Sequence, residues 1–222
     1  MNSSFSIITV VCMVTLVGIF PAFFWQKITK KTESCLLSFS SGMMLAASFL
    51  TLLLPGLDYA TKSYSSKLTA SFVMVASFAV GVSFIHIIDR YFHCKCDDRK
   101  ESKSLCLFII SIMVHNFPEG MVVGIGLGGL DSSHSLPLAL GIGLQNIPEG
   151  FIVAVASLAL GYTRSYAFFL VFVSAVIELL GGFIGIYLIQ LTKHLMPLGF
   201  GFASGAMLYV ILQKMMILYR LQ

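Results

Sequence analysis

Long, nearly unbroken apolar runs occupy approximately 5–26, 35–58, 68–90, 104–129, 136–161, 166–191 and 195–219, separated by short polar breaks. A helix of about 20 apolar residues crosses the roughly 30 Å of bilayer hydrocarbon. Each run therefore predicts one membrane-spanning helix, and the chain as a whole predicts an all-α, polytopic membrane helix bundle of about seven spans. The first run lacks a basic leading segment and continues through Phe23, Phe24 and Trp25 into a lysine cluster, the pattern of a retained span and not of a cleaved signal. Trp25 and Tyr59 fall near span ends, where amphipathic rings favour the interface. The longest connection, 91–103, lies between spans three and four, so residues 1–222 are expected to form a single transmembrane domain.

Polar residues interrupt this pattern in the middle of runs, where they are most costly. His115-Asn116-Phe117-Pro118-Glu119-Gly120 is centred in span four, and Gln145-Asn146-Ile147-Pro148-Glu149-Gly150 repeats it in span five. Glu178 falls at the centre of span six. An ionised side chain at that depth costs roughly 3 kcal/mol on insertion scales and persists where it faces other polar groups or a pathway. His115 and Glu119 are four residues apart and share a helix face, as do Gln145 and Glu149. Pro118 and Pro148 each remove a backbone donor and crowd the carbonyl four residues earlier, at Val114 and Leu144, which predicts a helix kink at each. The released carbonyls suit the wall of a polar cavity.

Three glutamates and a histidine at one level repel and desolvate unless protons or cations neutralise them. Imidazole, carboxylate and amide together describe a transition-metal site, and Met43 or Met44, near the centre of span two, would add a soft thioether, although plain core packing is the favoured reading of both. A closed structural zinc site would more often use thiolates, which no span pairs here.

Composition and charge sharpen the picture. Apolar residues make up 57% and charged residues 11%, against about a quarter charged in globular domains. Basic residues collect on the cytoplasmic side of membranes. Lys27, Lys30, Lys31, Arg90, Lys95, Arg99, Lys100, Lys103, Arg164, Lys214 and Arg220 fall on one side of the predicted topology, against Lys62, Lys67 and Lys193 on the other. The N-terminus is expected outside and the C-terminus in the cytosol. The net charge of +4 follows from this topology, and no aromatic-interleaved basic surface calls for nucleic acid. Cys12, Cys35, Cys94, Cys96 and Cys106 form no disulfide framework.

Ser41-Gly42-Met43-Met44-Leu45 in span two is echoed by Ser204-Gly205-Ala206-Met207-Leu208 in span seven, which runs the opposite way. Inverted repeats mark transporter folds with a midplane site. Small-residue motifs also recur simply because they let helices pack closely, and both readings stand.

The paired motifs resemble those of the ZIP metal transporters (Zrt/Irt-like proteins), which carry HNxPEG in the fourth span and HNxPEG or QNxPEG in the fifth. The glutamine form resembles the GufA-like branch, and the resemblance covers nearly the whole chain. It implies uptake of divalent metals into the cytosol through a two-metal centre, with an elevator-like movement of helix groups. It also implies a ligand set of His115, Asn116, Glu119, Gln145, Asn146, Glu149 and Glu178, with Met44 contributed by span two. Zinc is the expected cargo, with iron, manganese, cadmium and cobalt also compatible; the metal is substrate and no catalytic cofactor is expected.

The family norm is eight spans arranged as inverted halves around spans four and five, whereas this chain ends soon after the seventh. Either it is truncated or a partner subunit, such as a second copy in a homodimer, supplies the missing packing surface. Gln213 and Lys214 stand where relatives often carry acidic residues, and Asn146 replaces a carboxylate found in some relatives. Its amide is the weaker ligand.

The loop between spans three and four carries His93, Cys94, Cys96 and Asp97, a peripheral metal candidate or a solvated turn. His86 and Asp89 lie just above it, while Asp58 and His134 lie near the outer face. An enzyme is not expected: no histidine follows Ser204, no His-Glu-x-x-His is present, and no nucleophile and base pair stands out. A metal-selective cation channel is the nearer alternative, since channels also use carboxylate rings; a truncated member that does not transport is the other.

Overall fold

The computed structural model describes the backbone of residues 2–24, 30–93, 100–191 and 195–221. The side chains of 2, 30, 32, 33, 36, 37, 40, 47, 92, 93, 100–108, 111, 214 and 216–221 fall outside that description. So do Trp25 and segment 94–99. All described elements are helical. The first rod comprises α1 (Asn2–Val14), a 3₁₀ turn (Thr15–Gly18) and α2 (Ile19–Phe24). The second comprises α3 (Lys30–Ala46), a π-helical stretch (Ala47–Leu53) and α4 (Leu54–Ser63). Five single helices follow: α5 (Lys67–His93), α6 (Lys100–Gly129), α7 (Ser132–Ala159), α8 (Arg164–Leu191) and α9 (Met196–Leu221).

Within the described residues, each predicted run thus lies on one rod. Among the described residues, six helices are long and apolar enough to cross a membrane, the sixth ending at Gln213, and the remaining run, 104–129, lies on α6. The connection between the third and fourth runs is shorter than 91–103, because helix extends to His93 and resumes at Lys100.

Local chemistry explains the boundaries and irregularities. Pro55 cannot donate to the carbonyl of Thr51, and the preceding turns widen into the π form. The Ser66 hydroxyl caps α5 by accepting from the Leu68 N–H at 3.2 Å. Gly161, at φ +84°, closes α7, with the Tyr162 N–H reaching back to the Ser157 carbonyl. Thr163 then opens α8 by accepting from the Tyr166 N–H at 3.3 Å.

Two helix pairs pack with backbones in near contact. Along α6 and α8, a methyl group at Gly120 would strike the Glu178 carbonyl, and one at Gly181 would strike that of Phe117. Gly124 and Gly185 continue this seam one turn on, against Gly182 and Met121. Small residues at i and i+4 are the usual means of such approach in membranes. Along α5 and α9, Gly81 and Gly205 play the same part against Phe202 and Phe78. The first rod joins α7 in like manner, Gly18 lying on Ile147 and Gly150 on Thr15.

The echoed segments differ here. Gly205 is tightly packed while Gly42 has open space around it, so close packing accounts for one copy and not for the other.

Candidate metal centre

The close α6–α8 seam brings three helices together at the motif level. His115, Asn116 and Glu119 of α6, Gln145, Asn146 and Glu149 of α7, and Glu178 of α8 are all 0% exposed. The sequence contains no Lys or Arg from 104 to 163 or from 165 to 192, so these three helices bring no fixed positive charge to that depth. Uncompensated buried carboxylates are strongly destabilising. Protons or bound cations must balance them.

Two neighbouring clusters result. In the first, His115 Nε2 lies 3.4 Å from Glu149 Oε2, and ligand-capable atoms of His115, Glu119 and Glu149 all lie within 4.8 Å of one another. One imidazole nitrogen and two carboxylates at this separation match the donor set of a borderline-soft divalent ion. Gln145 shares the α7 face with Glu149, and neither polar atom of its amide has a hydrogen-bond partner among the described residues. A buried unsatisfied amide costs about 1–3 kcal/mol, and its oxygen is of a type able to bind a cation.

The second cluster surrounds Glu178. Asn146 Nδ2 donates to Glu178 Oε1 at 2.7 Å, and Thr15 Oγ1 donates to Oε2 at 3.3 Å. The same Asn146 nitrogen lies 3.4 Å from the Val11 carbonyl, drawing the first rod to this point. Asn116 Nδ2 donates to Ser174 Oγ at 3.0 Å. The carbonyl oxygens of Asn116 and Asn146 both lack partners among the described residues.

Met44 is fully buried among Ile85, Ala206, Val210 and Ile211, with Val114, the residue before His115, packed against that cluster. Helical backbone continues through Pro118 and Pro148.

The motif residues and Glu178 thus meet from α6, α7 and α8, while Met44 of α3 lies in the apolar cluster with Ile85 and Val210; three neighbours that the sequence does not single out are Thr15, Ser174 and Cys12, whose thiol approaches Glu178. Ser174 stands four residues before Glu178, so helical spacing was an available signal. Thr15 and Cys12 belong to a rod with no motif and become visible only through the fold.

Away from the centre, His86 Nδ1 lies 3.0 Å from Tyr209 Oη, which donates to Asp89 at 3.3 Å. At the turn before α7, His134 Nδ1 lies 2.5 Å from Asp131 Oδ1, and the ring holds the Asp131 carboxyl below the usual carboxylate range. Asp58 pairs with Lys62. The His93 side chain and all of Cys94, Cys96 and Asp97 lie outside the described residues.

A family model described as ZIP Zinc transporter matches residues 95–219. The zinc transporter GufA of Myxococcus xanthus is 38% identical over 112 residues, covering 50% of this chain and 44% of that protein. The zinc transporter ZIPB of Bordetella bronchiseptica is 31% identical over 205 residues, 89% of this chain and 66% of its own length. The zinc transporter ZupT of Streptococcus mutans is 28% identical over 217 residues, 91% and 81% respectively. The chain therefore spans less than two thirds of the first two relatives. The matched region contains both motifs and Glu178, and the chain belongs to the ZIP zinc transporter family, on its GufA-like branch.

Proposed function

We propose that this chain is a secondary transporter that carries divalent transition-metal cations into the cytosol. Zinc is the principal cargo, with iron, manganese and cadmium accepted by the same mixed ligands. The observation that carries this reading is the buried His115, Glu119 and Glu149 cluster with ligand atoms within 4.8 Å, next to the unsatisfied amide of Gln145. Relatives named as zinc transporters support the choice of metal.

In this reading a first ion is held by His115, Glu119, Gln145 and Glu149, with the Met44 thioether as a soft contact. A second is held by Asn116, Asn146 and Glu178, sharing Glu119 and Glu149 with the first. Carboxylates and imidazole release the ion as the helix group bearing them exposes it to one side and then the other. Binding displaces protons from the ligands, so uptake rises with pH. The driving force is the gradient of the ion or of a coupled species.

The whole of 1–222 acts as one transmembrane domain with its N-terminus outside. His93, Cys94, Cys96 and Asp97 collect metal in the cytosol.

Metal uptake into proteoliposomes tests the site. Wild-type protein is expected to show saturable zinc uptake, with loss of about 100-fold or more in Glu119→Ala and Glu149→Ala, a side chain that touches the ion being worth at least as much as the groups that orient it. Uptake unaffected by both substitutions overturns the assignment, and ohmic single-channel currents in place of saturable uptake overturn the carrier mechanism.

A further inference from the structure

Cys12 is 0% exposed, on the face of α1 that meets the centre. Its surroundings fix its position. The carbonyl of the preceding residue, Val11, lies 3.4 Å from Asn146 Nδ2, and Thr15, one turn further along, donates to Glu178 Oε2. The thiol itself is within hydrogen-bonding reach of the Glu178 carboxylate. An independent feature at the same place asks for a ligand: Asn146 is 0% exposed, its nitrogen is 2.7 Å from Glu178 Oε1, and its carbonyl oxygen has no partner among the described residues. A thiol from α1, a carboxylate from α8 and a side-chain amide from α7 thus meet here.

We propose that the Cys12 sulfur is a ligand of the second cation position, together with Glu178 and the Asn146 carbonyl, and that it sets this position's preference for thiophilic ions. This rests on the two-position reading above and adds the first rod to it. With a neutral amide at 146, Glu178 and the sulfur add the negative charge that the shared Glu119 and Glu149 do not supply there. Binding exchanges the thiol proton, released to water, for a sulfur–metal bond, with no change of oxidation state. Thiolate selects zinc and cadmium over manganese, which favours oxygen donors.

The test uses a full-length variant in which Cys35, Cys94, Cys96 and Cys106 are serine, leaving Cys12 as the sole thiol. Titration of the purified protein with cadmium is followed by ultraviolet thiolate-to-cadmium charge transfer. The expected result is a saturable band of one thiolate per chain, whose midpoint is raised about tenfold or more by Glu178→Gln. A folded, monodisperse variant with no band, or a band whose midpoint is the same after Glu178→Gln, overturns the proposal.

In proteoliposomes of the otherwise wild-type protein, Cys12→Ser is expected to lower the cadmium-to-manganese uptake ratio about fivefold or more, consistent with sulfur's role in selectivity. An unchanged ratio overturns the selectivity claim. Because the charge-transfer signal needs no transport, failure of the carrier reading and failure of the Cys12 assignment are separable.

Discussion

The residues legible in the sequence were those whose presence in hydrocarbon demands a reason. His115, Glu119, Gln145, Glu149 and Glu178 are polar groups in apolar helices, spaced to share faces, and the fold buries all of them together. Cys12, Thr15 and Ser174 raised no such question, because a thiol or hydroxyl can satisfy itself within its own helix. Their partners across the bundle, Glu178 and Asn116, emerge only from tertiary contact. Asn146 is the residue where this difference is testable. Asn146→Asp places a second carboxylate within hydrogen-bonding distance of Glu178, where the amide nitrogen now donates at 2.7 Å. Without metal the like charges repel and the donated bond is lost, so the thermal midpoint of the metal-free protein is expected to fall by roughly 2–4 °C for each kcal/mol lost. With zinc the added charge becomes a ligand, and zinc should restore stability, since a ligand at 100 times its Kd contributes about 2.7 kcal/mol. Thermal unfolding with chelator and with zinc measures both. An equal shift in the two conditions would mean that residue 146 does not face the ion.

At the scale of elements, hydrophobic runs located every rod because length and apolarity alone define a candidate span. They did not reveal the π-helical stretch Ala47–Leu53, which arises from a missing donor at Pro55, or the 3₁₀ turn Thr15–Gly18. They also did not show which glycines matter, since composition cannot say which helix face meets a neighbour. The structure separates Gly124, whose added methyl would meet the Gly182 carbonyl, from Gly42, which has nothing within 4 Å. Gly124→Ala should force α6 away from α8 and cost about 1–3 kcal/mol, as overpacking does. It should also weaken zinc binding, because α8 carries Glu178. Gly42→Ala should be neutral or stabilising by up to about 1 kcal/mol, the usual gain in a helix interior. Unfolding midpoints and zinc titrations of the two variants, compared side by side, test whether the seam sets the spacing of the centre; equal behaviour would show that it does not.

Among the described residues, the polar groups of the centre are buried while many large apolar side chains face outward. Leu68, Phe72 and Val75 of α5 are 67–81% exposed, while Glu119, Glu149 and Glu178 are wholly buried, an arrangement stable only where lipid covers the exterior. Lipid covers both ends alike, so direction across the bilayer must come from charge. Eleven of the 14 basic residues lie on the predicted inner side, and this bias orients short loops because Lys and Arg resist translocation. In the proposed topology, alternation of the rods puts the turn before α7 outside and the turn before α8 inside. In the background with Cys35, Cys94, Cys96 and Cys106 changed to serine, Ser133→Cys should react in intact cells with a membrane-impermeant maleimide. Tyr162→Cys should react only after permeabilisation. Cys12, buried at the centre, is the internal control and should remain unlabelled in both conditions. The reverse pattern would invert the topology and turn the proposed route from import to export without disturbing the metal centre; labelling of both sites in intact cells would break the alternation on which the span count depends.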